Sequence, residues 1–342
     1  MTKVPATLLR GLFPHGGASS ACGQVRAPCG LLQVARTPIR GGPHPRLSRR
    51  GRRGADEIVQ LAVLFRALLC VAILTSSMWA TAVAQPDRPL GERAMDVVHV
   101  LADEIGSRPA GTGAERRAAT YLSDTLSEMG YAVRTLPFEY GVRSGSGTSQ
   151  NVEARSNSED PSLPLVIIGA HYDSVPAGPG ANDNGSGTAT MVEVARELAK
   201  LPVPNVAVRY VAFGAEEIGL LGSADYAQKL SSDDRRRLKV MLSIDMMAVG
   251  DRPAFGGSEP WLSEALARAA SQGYRPAEAS SSLRRMSDHA SFMDLGVPAL
   301  MFHWVDDPFY HTAFDVSDNV QPAAMDLMGA IAIELVRVAA RG

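Results

Sequence analysis

His171, Asp183, Glu217, Asp245 and His311 are side chains of the types that grip a borderline divalent metal, and Glu216 stands directly beside one of them. Imidazole and carboxylate donors together suit zinc. A carboxylate has two oxygens, so one acid in such a set can serve two cations. A glutamate next to a ligand can stay free to take a proton from an activated water. Each of these residues lies at the end of an apolar stretch or in the turn after it, where rigid backbone can aim donors at one point.

Their contexts sharpen this. The run Leu165 to Gly169 leads into Ala170-His171-Tyr172-Asp173. Asp173 is placed to brace the far ring nitrogen of His171, which fixes the tautomer and raises basicity. Asp183 sits in the glycine-rich turn from Gly178 to Gly187. Such a turn opening a helix often takes phosphate, but an Asp in it repels anions. Glu216 and Glu217 follow the apolar run Val206 to Phe213, and adjacent carboxylates need a cation nearby. Asp245 follows Val240 to Ile244, where a lone buried charge needs a partner. His311 lies in Pro308-Phe309-Tyr310-His311-Thr312, near Asp306, Asp307, Asp315 and Asp318. Ser287-Asp288-His289 is a further polar knot, and Asp288 is expected behind the ligands rather than among them. Singly, each has an ordinary reading as a solvated turn, a helix cap or an ion pair. Their joint occurrence after successive strands is harder to assign to chance.

The elements that must position them alternate between strand and helix. Helical spacing of apolar residues marks Glu92–Ile105 and Glu115–Met129, the second closed by Gly130. Short strands are expected at 132–138 and 151–155, as edge or meander strands. A buried strand is expected at 165–169 and further strands at 206–213, 240–244 and 299–303, with helices at 185–201, 261–270 and 323–338. The expected fold is α/β: a mixed, mostly parallel central sheet with helices on both faces. In such sheets the site lies outside the carboxyl ends of the strands.

The chain has 342 residues and 45% hydrophobic side chains, enough for a sizeable core. Residues 1–84 hold 11 of the 34 basic side chains but only Asp56 and Glu57 of the 36 acids, so the remainder is acidic. An acidic body argues against a nucleic-acid partner. Cys22, Cys29 and Cys70 all precede residue 85, which leaves the body without thiolate ligands. Residues 1–58, rich in Gly, Pro and Arg, read as a disordered basic tail or as upstream sequence assigned from too early a start. The apolar segment 59–84 ends in Ala82-Val83-Ala84 and reads as a signal peptide, with a retained anchor as the alternative. The expected location is therefore exported, periplasmic or secreted, with a membrane contact only if 59–84 is kept. Residues 85–342 form the body.

From about Ala94 to the C-terminus, the body resembles the M28 zinc peptidases, a group of bacterial secreted aminopeptidases. The resemblance rests on GAHYDS (169–174), NDNGSG (182–187), AEEIGLLGS (215–223), SIDM (243–246), SDHASF (287–292) and YHT (310–312). It implies a zinc-exopeptidase fold and two zinc ions per chain. His171 and Asp245 would hold one ion, Glu217 and His311 the other, and Asp183 would bridge them. Glu216 would be the general acid/base, and Tyr310 would steady the oxyanion as in some members. The implied substrates are peptides with a free N-terminus, whose amine can pair with the acidic rim. Cobalt or manganese can replace zinc in such donor sets.

Three rival readings stay open on the sequence. A single-zinc glutaminyl cyclase is related to the family, but tends to have Trp at the position of Tyr310 and lacks the Asn-Asp-Asn-Gly run. A carboxypeptidase-type member would need a cation for the substrate's C-terminus, for which Arg284 or Arg285 is available. An inactive, metal-stabilised binding domain would ordinarily have lost a ligand or the base. Trp304, Phe309 and Met247 are candidates for the substrate pocket wall, with core packing as the alternative.

Overall fold

The computed structural model describes residues 88–143, 145–280 and 286–341. The tail, the segment 59–84, the three cysteines, Arg284 and Arg285 lie outside the described residues.

Among the described residues, eight strands form one sheet in the order β1-β2-β4-β3-β5-β8-β6-β7. They are β1 (Ala132–Val142), β2 (Gly145–Arg155), β3 (Leu165–His171), β4 (Ala207–Phe213), β5 (Leu238–Ile244), β6 (Arg252–Gly257), β7 (Ala277–Glu278) and β8 (Ala299–Val305). The central strands β4, β3, β5 and β8 run parallel, while β1, β2 and β6 join antiparallel. The helices are α1 (Leu90–Val98), α2 (Gly113–Glu128), α3 (Gly187–Lys200), α4 (Leu221–Lys229), α5 (Ser232–Arg237), α6 (Trp261–Ser271), α7 (His289–Met293) and α8 (Pro322–Ala339).

The period-two alternation of strand side chains divides the core in two. On β3, Val166, Ile168 and Ala170 face one layer with Leu101, Leu122, Val192, Leu262 and Met328 from α1 and its continuation, α2, α3, α6 and α8. Leu165 and Ile167 face the other, with Tyr226 of α4 and Phe292 of α7. The continuous apolar runs are thus strands buried on both faces, as the sequence predicts. α2 is closed by Gly130 as expected, and an N-cap not singled out in the sequence opens it. Thr112 accepts from the Glu115 N–H, and Gly130 takes φ +91° while its N–H reaches Ser127 O.

Several elements differ from the sequence reading. The stretch expected to be one helix over 92–105 is α1 continued by a wider π-type turn, His99–Ile105. The expected helix start at Gly185 is a similar wide turn, Ala181–Ser186, and regular α3 follows it. β1 and β2 are longer than expected and form one hairpin paired from Ala132↔Arg155 to Val142↔Gly145. β6 was not among the expected strands: it contains Pro253, Gly256 and Gly257, residue types uncommon inside strands, yet pairs with β8. The charged run of α5 reads as loop, yet Ser231 caps it through the Asp234 N–H.

Candidate metal centre

The carboxyl ends of the four parallel strands converge. β3 ends on His171, β4 turns directly into Glu216 and Glu217, β5 is followed by Asp245, and the segment after β8 carries His311. Asp183 enters from the wide turn ahead of α3. Backbone conformations uncommon for residues other than glycine cluster here: Ala215, Met246 and His311 have φ of 55°, 50° and 56°. Each is, or adjoins, a candidate donor.

Asp183 stands between the two imidazoles. Its Oδ1 lies 3.3 Å from His171 Nε2, and its Oδ2 lies 3.2 Å from His311 Nε2. On one side His171 Nε2 is 3.3 Å from Asp245 Oδ1; on the other, His311 Nε2 is 2.9 Å from Glu217 Oε2. Donor atoms of His171, Asp183 and Glu217 lie within 4.8 Å of one another, as do those of His171, Glu216 and Asp245. The second grouping puts Glu216 close to the His171 side, although Glu217 is the acid that reaches His311. The Tyr310 ring stacks on His311, with centroids 3.8 Å apart, and is 44% exposed.

Buried polar groups hold the donors from behind. The Asp173 carboxylate accepts from the backbone N–H of Glu216 (3.0 Å) and of Glu217 (3.3 Å), and its Oδ1 is 3.6 Å from His171 Nδ1. Asp315 accepts from the N–H of Asn182 (2.6 Å) and Asp183 (3.0 Å). The Asn184 amide reaches Ile244 O, and its oxygen accepts from the N–H of Gly187 and Met246. Arg108, fully buried, donates to the carbonyls of Leu101, Gly106, Tyr172, Pro179 and Gly180, which ties the loop between β3 and Asp183 to the π-type continuation of α1 and the residue after it. Asp288 lies at the start of α7 with both oxygens buried and without a hydrogen-bond partner, and Ser287 bonds Ser243 of β5 at 2.9 Å. Arg108 and Asp315 were not legible as supports, because their partners are backbone groups far away in sequence. Met247 and Trp304 are core residues, and Phe309 is half-buried.

Crowded acids in a dry site resist ionising together. Burial and Asp183 push the Glu217 carboxyl up to about 8, burial pushes Asp288 up to about 7, and burial drives Glu216 well above its ordinary range. Burial alone would lower His171, but Glu216 and Asp245 hold its imidazole well above its ordinary value. Asp183 is held low, against its burial, by the two histidines. Glu217 Oε1 is buried with no hydrogen-bond partner. An excess of carboxylate around two imidazoles, with an orphaned oxygen, fits a bound divalent metal; the nitrogen and oxygen donors suit zinc.

Residues 151–336 match the profile of peptidase family M28. The chain belongs to peptidase family M28. It is 35% identical over 208 residues to Aminopeptidase YwaD of Bacillus subtilis, covering 56% of this chain and 45% of that protein. It is 35% identical over 158 residues to the probable lipoprotein aminopeptidase LpqL of Mycobacterium tuberculosis, covering 44% of this chain and 31% of that one. The chain thus spans less than half the length of these curated relatives. In fold it is similar to a zinc aminopeptidase from Bacillus subtilis, with TM-score 0.65 and 21% identity over 72% of this chain and 95% of the other. A glutaminyl cyclase from Porphyromonas gingivalis has the same fold, with TM-score 0.64 and 21% identity over 73% of this chain and 99% of the other.

Proposed function

We propose that this M28 chain is a zinc exopeptidase that removes N-terminal residues from peptides. The carrying observation is Asp183, whose two oxygens face different histidines at 3.3 and 3.2 Å. That arrangement supports a reading with two ions: His171 and Asp245 would hold one, Glu217 and His311 the other, and Asp183 would serve both. Zinc bound there supplies a Lewis acid and a water acidic enough to lose a proton near neutral pH.

The protein's own groups do the rest. Glu216 takes the proton from the attacking water and returns it to the leaving amine. Asp173 fixes the backbone on which Glu216 and Glu217 sit. The Tyr310 phenol, pushed up to about 12 by burial and the nearby acids, stays protonated and can donate to the developing oxyanion. The substrate's free amine meets the acidic surround, which favours cleavage at the N-terminal bond.

Glu216→Gln is expected to keep wild-type zinc content and lose turnover by about 100-fold or more. His171→Ala is expected to lose zinc itself. Metal analysis and hydrolysis of free and N-blocked peptides on the same samples check both, and unchanged activity in Glu216→Gln ends the assigned role. Two zinc ions per chain and no cyclisation of N-terminal glutamine peptides separate this reading from a glutaminyl cyclase. The segment 59–84 supports export, with a retained anchor as the alternative, and fractionation of cells producing the full chain tests it. Among the described residues no helix is long and apolar enough to cross a membrane.

A further inference from the structure

Glu115 is fully buried in the first turn of α2, and among the described residues no Lys, Arg or His forms an ion pair with it. It lies outside every motif that carries the family resemblance. Thr112-Gly113-Ala114-Glu115 has the spacing of a capping box, in which the glutamate closes its own helix by accepting from the N–H of the cap residue. Glu115 departs from that pattern. Its Oε2 accepts from the Gly111 N–H at 2.6 Å, one residue before the cap, while the Thr112 N–H goes to Pro109 O. Its Oε1 leaves the helix and accepts from the Ser149 hydroxyl of β2.

That oxygen lies against the turn that follows β4. A Cβ on Gly214 would stand 2.8 Å from Glu115 Oε1 and 2.4 Å from Ser149 Oγ, so the backbone is pressed onto the pair. The Ala215 N–H bonds the same carboxyl. From Gly214 to Glu217, each successive backbone N–H is thus taken by a side chain of another element: Asn151 of β2 at 3.1 Å, Glu115 of α2, then Asp173 after β3 at 3.0 and 3.3 Å. Within this grip Ala215 keeps φ at 55°, a left-handed conformation that alanine holds only where its surroundings impose it. A carboxylate has acceptors alone, which suits three converging donors. Burial, helped by Asp173, pushes the Glu115 carboxyl up to about 7, against the pull of Ser149, Gly111 and Ala215.

We propose that Glu115 is a positioning residue for the metal centre: by fixing the Gly214–Ala215 turn it sets the direction in which Glu216 and Glu217 project. Its part in turnover rests on the peptidase reading of Glu216, while its part in metal binding rests only on Glu217 as a donor. These two acids are the next residues after Ala215, so any rotation of the turn passes to both. A displacement of about 1 Å at a reacting group can cost about 100-fold in rate.

The test compares Glu115→Gln with Thr112→Ala in the full chain. Both loosen the start of α2, but the Thr112 hydroxyl bonds only the backbone of Pro109 and Glu115. A glutamine amide has one acceptor oxygen and turns an NH2 towards groups that are already donors. At saturating zinc, Glu115→Gln is expected to lower kcat by about tenfold or more with KM within about twofold of the wild type. Chelator competition is expected to show zinc affinity weakened by about tenfold. Thr112→Ala is expected to lower Tm by a few degrees while kcat and zinc affinity stay within about twofold of the wild type. Equal losses of kcat in the two variants would reduce Glu115 to a helix cap and overturn the proposal, as would wild-type kcat and zinc affinity in Glu115→Gln. Should Glu115→Gln fail to fold, Ser149→Ala withdraws one donor from the same carboxylate and is expected to lower kcat by about threefold. Wild-type kcat and zinc affinity in that variant overturn the proposal too. Absence of hydrolysis by the wild type counts against the peptidase reading instead, and zinc titration then decides. Weaker zinc binding by Glu115→Gln than by Thr112→Ala supports the positioning role, and equal binding overturns it.

Discussion

Asp183 shows what a single residue does here. It is buried, faces two imidazoles, and is steadied by two backbone N–H donors to Asp315, so its orientation is set by neighbours rather than by its own rotamer preference. Asp173 works in the same way at one remove, since it fixes both members of the Glu216–Glu217 pair through their N–H groups. Asp173→Ala is expected to weaken zinc affinity by about 10–100-fold, as removal of an outer partner of a metal ligand typically does. Titration with a fluorescent zinc chelator measures it. Affinity equal to the wild type would mean that Asp173 only shapes the turn.

At the scale of elements, close backbone approach decides whether the donors meet. α3 begins at Gly187, against the end of β5: a Cβ there would stand 2.2 Å from Ile244 O and 2.3 Å from Asn184 Oδ1. Gly187→Ala must therefore push α3 away from β5 and disturb Asn184, which bridges the two. Overpacking of this kind costs about 1–3 kcal/mol. The expected result is a Tm several degrees lower together with reduced zinc binding, because Asp183 and Asp245 flank the contact. Stability lost without any change in zinc binding would show that the two elements shift as a unit.

Across the molecule, the sheet is also clamped on the face that carries α4 and α7. Arg209 of β4 pairs with Glu159 and Asp234, at 2.7 and 3.0 Å, and Arg237 of α5 joins the same two acids. Burial alone would raise the Glu159 carboxyl, but hydrogen bonds from Arg209 and Arg237 hold it below its ordinary value, and Asp234 is lowered in the same way. A carboxyl lowered in the folded state contributes stability at pH above its unfolded value. That stability is lost as pH falls through the folded value. Glu159→Gln is expected to cost about 3 kcal/mol at neutral pH by leaving buried guanidinium charge uncompensated. The gap to the wild type should close below about pH 4, where the wild-type acid also protonates. Denaturant melts of both proteins at several pH values check this, and a gap that does not change with pH would remove the ionic explanation.

The candidate donor types, their order along the chain and the strands that carry them were legible in the sequence. A parallel strand buried on both faces reads as a continuous apolar run, and a polar residue at its end stands out. β3, β4, β5 and β8, with His171, Glu216, Glu217 and Asp245 at or just past the ends of three of them, were readable for that reason. Short or irregular pairing was not, because β6 carries turn-forming residues and α5 carries charges that only a tertiary partner makes helical. Sheet order brought His171 and His311 to opposite oxygens of Asp183, set Arg108 against carbonyls from separate loops, and folded the β1–β2 hairpin beside Glu217. Those are distances between segments far apart in the chain, fixed by how layers pack, and local composition does not encode them.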